Sequence, residues 1–203
     1  TVVAPANGAS MPARDLRYCY SANRIQFIRS GASTCSTGSA STTFDFDVQG
    51  NLQTKNGQGY VFGQNNQLIE VTGKESYRYD AHGRRILAWA PGMPNILSMY
   101  TQAGQLVYQS NGREGKYYDY IYLAGSLLAT REKLASTGVV TVKFQHTDAL
   151  GSPVAVTDAA RNVLERSEYE PFGRLINRPI HDGPAFTGHV TDAQTGLTYM
   201  QQR

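Results

Sequence analysis

One motif returns along this chain and limits what it can fold into: aromatic, any residue, aromatic, acid, two residues, glycine. Its clearest copy is Tyr77-Arg-Tyr79-Asp80-Ala-His-Gly83, followed by Arg84-Arg85-Ile86. It recurs as Phe44-Asp-Phe46-Asp47-Val-Gln-Gly50 before Leu52, and as Ser167-Glu-Tyr169-Glu170-Pro-Phe-Gly173 before Leu175. Tyr60-Val-Phe62-Gly63-Gln-Asn-Asn66 is a weaker copy. Two aromatics spaced two apart point to one face of a strand. The acid and the Gly or Asn supply turn chemistry, because Asp bonds nearby backbone N–H groups and Gly or Asn tolerates positive φ. The next apolar residue opens a return strand, so each unit reads as a β-hairpin.

The first three copies start at residues 44, 60 and 77, intervals of 16 and 17 residues. That is the length of two strands and two turns, and less than half the repeat of a propeller blade, roughly 40 residues. Looser copies occur at Tyr18 to Asn23, Ser98 to Leu106 and Tyr120 to Leu127, the last with a shortened turn. Val154-Ala-Val156-Thr-Asp158-Ala-Ala-Arg-Asn162-Val-Leu164 reads as a hairpin with a longer turn. Asn56-Gly57 and Asn111-Gly112 read as tight turns, and Arg131 to Gly138 as a polar hairpin tip. The expected fold is all-β: successive antiparallel hairpins forming a long, twisted, curved strip, a quasi-one-dimensional repeat. Thirteen Tyr, 20 Gly and only 17% charged residues suit such a chain.

These motifs resemble YD repeats, and three further elements strengthen the resemblance. Phe144-Gln-His146-Thr-Asp148-Ala-Leu-Gly151-Ser-Pro153 looks like the HTDHLGSP element of the bacterial Rhs core. Glu168-Tyr-Glu170-Pro171-Phe172-Gly173-Arg174 looks like the YDPFGR element that follows it, and Phe186-Thr-Gly188-His189 through Tyr199 looks like FTGHExDxETGLYY. The chain therefore resembles the C-terminal part of an Rhs/YD-repeat protein, related to the C subunits of Tc toxins and to teneurins. The resemblance implies a β-cocoon wall that encloses a C-terminal toxin. It also implies that the family's self-cleaving aspartates would follow Arg203. On this view the chain is a non-catalytic fragment of a larger exported bacterial protein, secreted or at the cell surface. Its partners would be the rest of the shell and the cargo polypeptide. An adhesive or carbohydrate-binding module of a wall-associated protein is the alternative, with the aromatic rows as its sugar platform.

Three segments follow: 1–43 with a Ser/Gly-rich loop, 44–143 with the repeat hairpins, and 144–203 as the core-like end. The structural repeat positions are Phe44, Phe46, Asp47, Gly50, Tyr77, Tyr79, Asp80, Gly83, Tyr169, Glu170 and Gly173. Cys19 and Cys35, the only cysteines, flank the Ser/Gly-rich loop. A disulfide there would suit an exported protein and contribute about 3 kcal/mol; two unpaired thiols are the alternative. His146, Asp148, Asp158, His181, Asp182, His189 and Asp192 form the one polar group worth testing for metal or acid–base chemistry, yet their spacing matches no ligand pattern. We therefore expect no cofactor, metal or catalysis. The net charge of +3 is too small to argue for nucleic acid, none of which is expected as a partner, and the dispersed basic residues, Arg84-Arg85 the only adjacent pair, read as a solvated surface. No apolar run is long enough to span a membrane. Open strand edges would invite self-association.

Overall fold

The structure is a computed structural model and describes residues 15–31, 34–36 and 39–201. It has two compact units, residues 1–73 and 74–203, which part inside the run of repeat hairpins. In the first unit, β1 (Leu16–Ser21), β2 (Arg24–Ser30), β3 (Thr42–Phe46), β4 (Leu52–Lys55), β5 (Gln58–Phe62) and β6 (Leu68–Val71) pair in sequence order, each antiparallel to the next. In the second, β7 (Glu75–Tyr79), β8 (Arg85–Trp89), β9 (Ile96–Tyr100), β10 (Leu106–Asn111) and β11 (Lys116–Leu123) continue the same way into β12 (Ser126–Leu134), β13 (Val140–Thr147), β14 (Pro153–Thr157) and β15 (Val163–Arg166). Both are open sheets of successive hairpins, as the repeat requires. A C-terminal element follows: β16 (Gly183–Pro184), a 3-10 turn η1 (Phe186–Gly188), β17 (Val190–Thr191) and β18 (Thr198–Tyr199).

The motif's acid and glycine explain why the hairpins are alike. In the Asp47 turn, Asp47 N–H donates to the Asn51 carbonyl and Gly50 N–H donates back to the Asp47 carbonyl, with Gly50 at φ 93°. The same pair of bonds closes the turns that start at Gly63, Asp80, Thr101, Asp148, Asp158 and Glu170. This is a type I turn closed by one left-handed residue and a bulge, matched by register shifts such as those at Asp45/Phe46 and Arg78/Tyr79. The acid adds side-chain bonds. Asp80 Oδ1 accepts from the His82 and Arg84 N–H groups at 2.8 and 2.9 Å. These donors hold the Asp80 carboxyl below its ordinary range, and bonds from Asn51 and Asn162 do the same for Asp47 and Asp158.

Several turns differ from the sequence reading. The Asp158 turn is not longer: it has the common frame, with Arg161 taking the left-handed position at φ 69° in place of glycine. Asn111-Gly112 is not a two-residue turn. Asn111 pairs with Lys116, and its Oδ1 accepts the Arg113 and Glu114 N–H groups across a four-residue loop. Asn56-Gly57 is the two-residue turn, both residues having positive φ. Of the expected polar tip at 131–138, the first half is strand, since β12 runs to Leu134, and the turn itself occupies 135–137.

Within segment 1–43, residues 1–14, 32, 33, 37 and 38 lie outside the described residues. The rest carries β1, β2 and the first two residues of β3, and a disulfide joins Cys19 to Cys35. At the far end, the Asn177 side chain donates to the Arg166 carbonyl at 3.1 Å and accepts from the Glu168 N–H at 3.0 Å. One amide thus stands in for a neighbouring strand residue and blunts this end of edge strand β15.

Candidate functional site

The C-terminal element lies on one face of the second unit's sheet. Strand alternation puts Tyr118 and Tyr120 of β11 on that face, their rings 6.1 Å apart and nearly parallel. They pack with Leu106, Leu127 and Val190 into a buried cluster, flanked by Tyr100, Tyr122 and Tyr199. Tyr199 reaches Tyr79 and Tyr100 at ring distances of 6.2 and 6.4 Å. Its hydroxyl accepts the Arg85 N–H and donates to the Gly83 carbonyl.

The three core-like elements meet in space. Ser152, fully buried, accepts the Thr187 N–H at 3.0 Å. The Tyr169 ring lies 5.6 Å from Phe186, and its hydroxyl donates to the Pro153 carbonyl. Gly173 is required twice over. Its φ is 87°, and a Cβ there would stand 2.6 Å from the Phe186 ring.

Beneath this element lies a buried ionic network. Tyr77 is wholly buried and donates from its hydroxyl to Asp192 Oδ2 at 2.6 Å. The Glu75 carboxyl lies 3.4 Å from the same hydroxyl. Arg85 stands 3.6 Å from Asp192 and sits over the rings of Tyr77 and Tyr199 at 4.7 and 4.8 Å. Arg113 pairs with Glu75. Burial and the neighbouring Asp192 push Glu75 up to about 8, against the pull of Arg113. Burial opposes ionisation of Asp192 too, but bonds from Glu75 and Tyr77 and the Arg85 charge outweigh it and hold its carboxyl low. A proton on Glu75 therefore faces an ionised Asp192.

The polar residues singled out from the sequence do not assemble. His146 bonds Thr157, His181 pairs with Glu165, and Asp148 and Asp158 close turns. Asp182 and Asp192 do interact: Asp182 accepts the Ala193 N–H, and its carboxyl is raised by burial and in part by Asp192. Among the described residues no group of three or more His, Cys, Asp or Glu has metal-binding geometry. The expected solvated surface at Arg84-Arg85 is wrong. Arg85 is buried against the Tyr77 and Tyr199 rings, and Arg84 is held by Asp80 and the Thr101 carbonyl. Glu75 and Arg113 drew no notice in the sequence. The available signal was period: Glu75 stands two residues before Tyr77, on the same face as the motif's aromatics.

A cavity of about 540 Å³ opens beside the network, between β11–β14 and the segment after β15. Its charges answer one another. Lys116 and Lys143 bind Glu132 at 3.3 and 2.5 Å, and Arg178 binds Glu165 at 2.9 Å.

The family model described as teneurin YD-shell matches residues 21–203. The chain belongs to that family. It is an Rhs/YD-repeat protein. It is 23% identical over 175 residues to the tRNA3(Ser)-specific nuclease WapA of Bacillus spizizenii, covering 79% of this chain and 7% of that protein. Its fold is similar to the crystal structure of TcdB2-TccC3, with a TM-score of 0.56 and 15% identity over 92% of this chain and 12% of that one. The same complex without its hypervariable C-terminal region gives 0.50 and 15%, covering 92% and 11%. The chain thus spans a small part of each relative. No helix among the described residues is long and apolar enough to cross a membrane.

Proposed function

We propose that this YD-shell chain is a wall segment of an Rhs-type shell that secludes a C-terminal toxin or effector in a secreted bacterial protein. The observation that carries the reading is the C-terminal element laid on one sheet face, where its polar groups are met by the wall: Asp192 by Tyr77 and Arg85, Thr187 by Ser152, Tyr199 by Gly83. A surface built this way separates two sides of a sheet without doing chemistry. The motif's acids close turns, Glu75 and Asp192 lie in the buried network, and Glu132 and Glu165 are held in ion pairs; on this reading the wall segment is not itself an enzyme. The partners are the rest of the parent shell and the cargo chain. The Cys19–Cys35 disulfide supports an oxidising, extracytoplasmic destination.

Limited proteolysis of the parent protein tests this. Cargo sequences should resist protease while the wall is intact and become sensitive once it is denatured. Cargo digested as fast in the intact parent as in isolation would overturn the reading.

Carbohydrate binding is a second reading, and exposure narrows it. Tyr77, Tyr118 and Tyr120 are buried, whereas Tyr18 and Tyr20 of β1 are 51% and 65% exposed. A glycan screen of the whole chain and of Tyr18→Ala/Tyr20→Ala tests that surface. Binding that the double variant keeps, or a blank screen, excludes these two tyrosines as the platform.

A further inference from the structure

We propose that Glu75 and Asp192 form a pH-gated latch, which holds the C-terminal element against β7 and β8 in mildly acidic solution and loosens in alkaline solution. The inference stands on the geometry of the second unit and does not depend on a cargo.

Both carboxyls reach one hydroxyl, that of Tyr77, from opposite sides of the contact. Glu75 belongs to the wall and Asp192 to the element laid on it. Both are 2% exposed, so little water is at hand to stabilise a second negative charge. The surrounding charges can be named element by element. From β7 come Glu75 and Tyr77, and from β8 comes Arg85. The loop between β10 and β11 adds Arg113, which pairs with Glu75, and Glu114, which takes the Tyr118 hydroxyl and lies 4.0 Å from Lys116. The C-terminal element contributes Asp182, Asp192 and Tyr199, whose ring lies under the Arg85 guanidinium and whose hydroxyl burial keeps protonated. Two guanidiniums thus face Glu75, Asp192 and Asp182, and one carboxyl must stay protonated for charge to balance.

Glu75 is the group that holds the proton. Its folded value, about 8, lies above its ordinary 4.5. Between those values the folded chain binds a proton that the unfolded chain lacks. Stability from this site is therefore full below the lower value and is lost as pH rises through the upper one. Asp192 works in the opposite sense. Its depressed carboxyl stabilises above 3.8 and fails as pH falls through its folded value. The latch is tightest in weak acid. Above the Glu75 value two adjacent carboxylates repel across the contact, while Tyr77, its hydroxyl pushed up by burial and Asp192, remains a donor to one of them.

Amide hydrogen exchange of residues 190–199 in the whole chain, corrected for intrinsic rates, tests the latch. Protection should fall about tenfold or more between about pH 6 and about pH 9, while the β11–β12 amides keep theirs. Glu75→Gln cannot ionise and should remove most of that pH dependence; Asp192→Asn should lower protection at both pH values. An equal alkaline loss in Glu75→Gln, or none in the natural chain, would overturn the proposal. Carbon-13 titration of the Glu75 carboxyl in the natural chain gives a reading that needs no variant. A midpoint near the Glu75 value above supports the latch, and one in the ordinary glutamate range sinks it.

Discussion

The two units build the same hairpins and bury them differently. In the first, the fully buried apolar side chains among the described residues are Cys19 and Val71, and the motif's aromatics Phe44, Phe46, Tyr60 and Phe62 stay half-buried. In the second, Tyr77, Tyr118 and Tyr120 vanish from solvent, and Glu75, Gln109 and Asn111 are buried with them. The turn chemistry is shared, so it cannot cause the difference. The cause is the C-terminal element, which gives the second unit's face something to pack against. A YD hairpin is thus a locally determined object whose burial is decided by what is laid over it.

This contrast can be broken from either side. The largest effect should come from Tyr120→Ala in the second unit's core. Loss of a buried aromatic costs about 3 to 5 kcal/mol, read as lost amide protection of residues 74–201 with much less change in residues 15–73. Reducing the Cys19–Cys35 bridge should do the reverse. Its sequence separation of 16 implies a loss of about 3 kcal/mol confined to the first unit. Matched glycine substitutions sharpen the comparison. Gly57→Ala meets only the backbone penalty of positive φ, about 1 kcal/mol, since nothing lies within 4 Å of its Cβ position. Gly173→Ala adds a collision with Phe186 and should cost about 2 kcal/mol more, measured as a difference in denaturant midpoint. The smallest shift should follow Asp47→Ala. The tip of that turn, Val48 and Gln49, is exposed, and its backbone bonds survive the loss of the carboxylate.

Much of the fold was legible because hairpin signals are short-range. An acid that caps N–H groups two and four residues on, and a glycine three residues on, settle their turn within five residues. The Asp158 turn shows the limit of that legibility: Arg161 does the glycine's job, and no residue-type rule anticipates it. The buried network was illegible for a different reason. Glu75, Tyr77 and Arg85 meet Asp192 from more than a hundred residues away, and pattern cannot show which polar residues long-range packing will bring together. By charge alone Arg85 is half of an exposed basic pair. Two aromatic rings cover it instead.

By itself, then, the sequence determined the hairpins, their order and the face on which each aromatic stands, since all three follow from local turn geometry and the two-residue period of a strand. Only the tertiary structure decided which faces are covered and which carboxyl keeps its proton. Those outcomes depend on desolvation and on charges that distant segments bring within a few ångströms of one another.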